Sequence, residues 1–306
     1  MAGNDLLVRF WGVRGSHPVP GPSTLKYGGH TSCLEIRTKD HIIILDAGTG
    51  IINLGNQLVK EFNASSAKKV LNLTILISHT HSDHVQGIPF FAPAYLGHCV
   101  LNIYGPKVSS QSLAEILTHA MEPQYSPIEL DELKARMNIQ NLHENDAVIF
   151  NAKSEAPDLV KQNELIHNPK QDVVVRVMRS YAHPKMGVFF FKIAVNGKSV
   201  VYATDTEGYV GNDTRLIDFA KGTDLLIHDA QYDPDEYLDA NFPKQGFGHS
   251  TYEMAAQVAR EAGAQQLVLF HHDPSHDDEK LAAMAAKAQE LFPNTAAAAE
   301  GMEFSF

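Results

Sequence analysis

Apolar residues in this 306-residue chain gather in short runs bounded by Gly, Pro, Asn and Asp, with few long amphipathic stretches between them. Runs at 6–11, 41–45, 70–77, 100–104, 173–178, 188–193, 199–203, 224–229 and 266–270, and one ending at Ile36, are rich in β-branched and aromatic residues. They have the length of buried strands. Helical spacing is confined to four stretches. Ile51, Ile52, Leu54, Leu58 and Val59 share one side of a helix reaching 62. A second helix is expected over 110–120. A third runs to 262, with Ser250 as N-cap and Glu253 completing a capping box. The fourth is an alanine-rich helix over 278–291. The strands fall into two groups, each followed by helices, which fits two packed sheets with helices outside. The same periodicity also allows a doubly wound sheet. Residues 107–170 lose the alternation and carry Glu129, Asp131, Glu132, Glu144 and Asp146. They are expected to form an insertion, a lid or a dimer contact, on a single domain spanning 1–306.

The 70–77 run ends abruptly in His79-Thr80-His81-Ser82-Asp83-His84. Two histidines two apart on an extended backbone project from one face, while Asp83 and His84 lie where the chain turns away. Such a stretch serves two neighbouring metal ions, and imidazole with carboxylate suits zinc or a similar first-row ion such as manganese or iron. A polar loop with no function has no need of this order of residues directly after a buried strand.

This pattern resembles the signature of the metallo-β-lactamase-fold hydrolases. The resemblance implies an α/β fold of the αββα four-layer sandwich type and a dinuclear site. Later residues past strand-like runs then become ligands by position. His79, His81 and His183 hold one ion, Asp83, His84 and His271 hold the other, and Asp205 bridges them. His272 is the rival to His271. Asp46, which on local grounds could equally cap the following helix, becomes by the resemblance an outer residue that orients a metal-bound histidine. His228-Asp229-Ala230-Gln231, Gly248-His249-Ser250-Thr251, Phe10-Trp11-Gly12-Val13-Arg14-Gly15-Ser16 and Glu300-Gly301-Met302 resemble the ribonuclease Z-like phosphodiesterase branch. By that resemblance His249 is the general acid or a phosphate contact, held by Asp229. Asp83 is expected to be essential for turnover. Arg14, Tyr27 and His30 are candidate substrate contacts, and a homodimer is implied.

Composition narrows the class. Hydrophobic content of 44% and charged content of 20% are those of a globular protein. No apolar run nears the roughly 18 residues of a membrane span. Residues 1–5 lack the features of a secretory leader, and Cys33 and Cys99 are too few for a disulfide framework. Both features suggest a reducing cytoplasm. The formal charge of −11 argues against broad binding of extended nucleic acid. It does not argue against a small anion, because two divalent ions outweigh Asp83 and Asp205 locally.

Only residues 184–204 separate His183 from Asp205, which leaves no room for the long tRNA-clamping arm of ribonuclease Z at that point. The expectation is therefore a dinuclear phosphodiesterase that opens 3′,5′-cyclic nucleotides. A tRNA 3′-processing endonuclease, or a thioester or lactone hydrolase, is the alternative.

Overall fold

The computed structural model describes residues 6–65, 70–151, 156–208 and 213–306. The leader reading of residues 1–5, and the part of the expected insertion at 152–155, lie outside them. Two mixed sheets face each other. The first has the order β15-β1-β2-β3-β4-β5-β6, built from β1 (Leu7–Gly12), β2 (Cys33–Arg37), β3 (Ile42–Leu45), β4 (Leu71–Leu76), β5 (Cys99–Pro106), β6 (Arg136–Leu142) and β15 (Glu303–Ser305). The second has the order β14-β13-β12-β11-β10-β9-β7-β8. Its strands are β7 (Asp146–Phe150), β8 (Asp158–Lys161), β9 (Val173–Ser180), β10 (Val188–Val195), β11 (Lys198–Ala203), β12 (Leu225–Asp229), β13 (Leu267–Phe270) and β14 (Thr295–Ala297).

Three apolar layers explain the stacking. Phe10, Ile36, Tyr104, Val175, Phe189, Phe191, Tyr202 and Phe270 meet between the sheets. Ile51, Leu54 and Leu58 of α1 (Gly50–Ala64), beyond which lies α2 (Ser82–Val85), cover the outer face of the first sheet with Leu113 and Leu117 of α3 (Leu113–Ala120). On the second sheet the outer face is covered by α4 (Thr214–Ala220), α6 (Tyr252–Ala262) and α7 (Asp278–Leu291), with the short α5 (Pro234–Tyr237) between α4 and α6 in the chain. Strand β11 shows the logic in four residues: Val200 and Tyr202 face the inner layer, while Val201 and Ala203 face the helices. This is the αββα sandwich; the doubly wound alternative is excluded because two separate sheets share the inner core.

Two local expectations need correction. Residues 107–170 are no appendage: β6 extends the first sheet in parallel with β5, and β7 pairs with β9 in the second. Their alternation is faint because β6 is an edge strand with a half-exposed pattern and β7 is buried on both faces. The N-cap of α6 is Thr251, whose hydroxyl accepts from Met254 N–H, while the Ser250 hydroxyl donates to the Thr206 carbonyl. Tertiary contact thus takes Ser250 away from the helix end. Among the described residues no helix is long and apolar enough to cross a membrane.

Candidate metal centre

Parallel strands β3, β4, β11, β12 and β13 all end on one side of the sandwich, and the polar residues that follow them converge there. Three of these sit in the left-handed region: Asp46 (φ 59°), Asp205 (φ 51°) and His271 (φ 61°). Non-glycine residues rarely adopt it, and such strain clusters at functional sites. The loop after β1 closes over them. Gly15 lies so near that a Cβ there would meet the His271 ring at 2.3 Å. Ser16, also at positive φ, donates its N–H to Asp83 Oδ2 at 2.7 Å.

Two sets of ligand-type atoms gather on either side of Asp205. His79, His81 and His183 form one; Asp83, His84, Asp205 and His271 form the other. His84 Nε2 lies 3.2 Å from both Asp83 Oδ2 and Asp205 Oδ1, and His271 Nε2 lies 3.2 and 3.3 Å from the same pair. On the other side Asp205 Oδ2 is 3.5 Å from His79 Nε2 and 3.7 Å from His183 Nε2. Ligand atoms about 2.0–2.1 Å from a tetrahedral ion stand about 3.3–3.4 Å apart, so the spacing suits a metal in each set.

The hydrogen atoms agree with that fit. His84 Nδ1 is 2.7 Å from Asp46 Oδ2, and His271 Nδ1 is 3.0 Å from Gln231 Oε1. Both partners are acceptors, so each Nδ1 carries a proton and each Nε2 is left to face the cluster, with a lone pair whenever its ring is neutral. Those two Nε2 atoms face one another at 3.3 Å, an arrangement that a cation resolves. His183 Nδ1 likewise donates to the Gly248 carbonyl, and buried His79 Nε2 has no hydrogen-bond partner among the described residues.

Without an ion, charge and burial compete. Burial holds His79, His81 and His183 neutral by lowering their pKa. Burial also opposes charge on Asp83 and Asp205, but neighbouring imidazoles outweigh it and hold both carboxyls well below the usual range. The reverse holds at His271, where the carboxylates overcome burial and raise the ring to about 9.

Supporting residues extend the set. Asp46 accepts from Ser78 N–H (2.7 Å), Ser78 Oγ (2.8 Å), His84 Nδ1 (2.7 Å) and the Tyr202 hydroxyl (2.8 Å). It caps nothing, since Thr49 is the N-cap position of α1. Gln231, part of the quoted His-Asp-Ala-Gln stretch but given no role there, orients His271 and in turn donates to Asp273. Tyr202, an inner-core strand residue, carried no signal in the sequence, and Ser16, part of the quoted stretch from Phe10 but given no role there, acts through its backbone N–H. Asp229 Oδ2 accepts from His249 Nδ1 at 2.7 Å, and the His249 ring stacks on His271 with centroids 4.9 Å apart. His249 also lies within reach of His183 and Asp205.

The candidate substrate contacts are placed elsewhere. Arg14 is fully buried, donating to the carbonyls of Gly28 (2.8 Å), Asp273 (3.1 Å) and His276 (2.6 Å). It ties three loops together and does not face the cleft. Tyr27 is buried in the helix-side core of the second sheet. His30 is bracketed by Thr49 and Asn53 at the start of α1. His272 turns away from the cluster and meets the Ala298 carbonyl through Nε2 at 2.9 Å.

Residues 41–272 match the Beta-lactamase superfamily domain, a span that holds every residue of both sets, and the chain belongs to that family of hydrolases. More particularly, it is 26% identical to Ribonuclease Z of Picrophilus torridus, over 97% of this chain and 95% of the relative. The crystal structure of human tRNase Z, short form, superposes with a TM-score of 0.62 at 23% identity, over 98% of each chain. That of the metallo-beta-lactamase fold protein YhfI from Bacillus subtilis gives 0.63 at 20% identity, over 98% of this chain and 99% of the other.

The Ribonuclease Z relatives overturn the expectation, drawn from net charge, that extended nucleic acid is an unsuitable partner. A formal charge of −11 sums the whole surface and is blind to a local cationic cleft.

Proposed function

We propose that this protein is a dinuclear metal-dependent phosphodiesterase acting on RNA, in the manner of a tRNA 3′-processing endonuclease. The observation that carries the reading is Asp205 standing between two ligand sets, with one oxygen turned to each. Full-length similarity to proteins named Ribonuclease Z supports RNA as substrate.

The residues divide the work. His79, His81 and His183 would hold one ion, Asp83, His84 and His271 the other, and Asp205 both. Zinc suits this imidazole-rich set. When bound, such a pair supplies Lewis-acid stabilisation of the phosphoryl oxygens and a nucleophile at neutral pH. Asp83, pinned by Ser16 N–H, keeps one carboxylate oxygen fixed toward His84 and His271. His249, with Nδ1–H bound to Asp229, aims Nε2 away from that carboxylate. As the P–O bond to the leaving group breaks, protonated Nε2 passes its proton to the departing oxygen, and Asp229 stabilises the charged ring beforehand.

A second reading, hydrolysis of a 3′,5′-cyclic nucleotide, is favoured by one feature. The hairpin between β10 and β11 turns on Asn196 and Gly197 with Val195 opposite Lys198, so no arm emerges there. The test is a single metal-analysed sample assayed on precursor tRNA, cyclic AMP and a neutral thioester. Metal-dependent cleavage of precursor tRNA is expected. Turnover of cyclic AMP alone would favour the second reading, and turnover of the thioester alone would exclude both.

A further inference from the structure

The loop that leads into His249 carries surface features that the chemistry above does not use. Phe242 and Phe247 are 60% and 45% exposed, and their rings meet edge to face at 5.9 Å between centroids. Lys244 lies between them, its Nζ 4.1 Å from the centroid of Phe242 and 5.8 Å from those of Phe247 and Tyr232. Tyr232 meets the His249 ring edge-on at 6.0 Å. The aromatic group is therefore continuous with the proposed proton donor.

This loop is held in place, with little freedom to reshape. Glu207, two residues after Asp205, accepts from the N–H groups of Gly246 and Gly248 and from the Tyr237 hydroxyl. Both glycines take positive φ, and a Cβ on Gly248 would strike His183 Nδ1 at 2.4 Å. Asp239 fixes the other end by accepting from the N–H groups of Asn241 and Phe242. Exposed aromatic rings beside an ammonium, rigidly mounted at the edge of a phosphodiester site, match what single-stranded nucleic acid needs. The bases stack on the rings and the cation meets the backbone.

We infer that Phe242, Lys244 and Phe247 form a stacking platform for a nucleobase of the strand whose phosphodiester is cut. The inference deepens the RNA-directed reading and rests on it. Charge complementarity selects this occupant, because an acidic chain has set an ammonium among exposed rings beside the site where an anionic strand must lie.

The test is fluorescence anisotropy of the metal-loaded protein with a labelled single-stranded RNA octamer and with its fully abasic counterpart. The wild type is expected to bind the base-bearing strand at least tenfold more tightly. Phe242→Ala and Phe247→Ala should each shrink that ratio to about threefold or less, with metal content and circular dichroism intact. Lys244→Ala should weaken both strands and flatten the salt dependence. Equal binding of the two strands by the wild type, no binding of the base-bearing strand, or an unchanged ratio in the variants would overturn the platform. So would a change in sedimentation of the variants with the ratio preserved, which would make the patch a contact between copies. A gel of the same samples reads cleavage. Lost base preference without any cleavage refutes the phosphodiesterase alone, and cleavage with preserved preference refutes the platform alone.

Discussion

Replacing Asp46 by Asn tests the proposed metal centre without touching a proposed ligand. The carboxylate accepts four hydrogen bonds, one at Oδ1 from Ser78 N–H and three at Oδ2 from Ser78 Oγ, His84 Nδ1 and Tyr202 Oη. An asparagine of the same shape keeps one acceptor oxygen. Placed where three donors meet, it turns its NH2 group against the Ser78 N–H and leaves that buried donor unsatisfied. Such a loss costs about 1–3 kcal/mol, so Asp46→Asn should fold with about 2 kcal/mol less stability. The neutral acceptor also grips His84 Nδ1–H less firmly, and loss of an outer-shell partner typically weakens metal binding about 10–100-fold. Only the ion proposed for Asp83, His84 and His271 should suffer. Chelator-competition titration resolves the two equivalents, and His81→Ala, which disables the other set, assigns them. Tyr202→Phe provides a graded control, removing one donor for about 1 kcal/mol. If both equivalents keep wild-type affinity in Asp46→Asn, or if the other ion is the one weakened, Asp46 does not act through His84 and the ligand grouping is wrong.

His249→Ala should lower turnover of a phosphodiester by about 10²–10⁴-fold while elemental analysis still finds two ions per chain; loss of an ion instead would make His249 a ligand beside His183 and Asp205. Away from the centre, burial opposes the charge on Glu236, but His276, the Asp233 backbone and Lys280 outweigh it and hold the carboxyl at about 2, against an ordinary 4.5. A depressed folded pKa contributes stability above about 4.5 that is lost as pH falls toward about 2. Urea midpoints of the wild type and Glu236→Gln should therefore differ most near pH 6 and converge toward pH 2, and a gap that ignores pH would show that the carboxylate contributes nothing through its charge.

Much of this architecture was readable in the chain because its signals are local. A buried strand that stops in imidazoles and a carboxylate announces itself within fifteen residues, and β1 to β5 and β9 to β13 lie within a residue or two of their apolar runs. Signals that depend on partners far along the chain were not readable. The edge positions of β6 and β8 and the double burial of β7 erase alternation, so three strands of the sheets resembled an insertion. Thr251 caps α6 because Ser250 is engaged by Thr206, 44 residues earlier.

Residue types and their order marked out two groups of strands and placed imidazole and carboxylate at strand ends, since period-2 burial and strand termini are properties of consecutive residues. That periodicity also allowed a doubly wound sheet, and only the resemblance to the metallo-β-lactamase fold pointed to the αββα class. Tertiary packing decided which of those groups share one space. It turned His271 inward and His272 outward, and spent Arg14 on the carbonyls of Gly28, Asp273 and His276. It also brought Tyr202 and Gln231 behind the histidines. A ligand set is a matter of ångströms between strands remote in sequence, and only the stacking of two sheets brings those strand ends together.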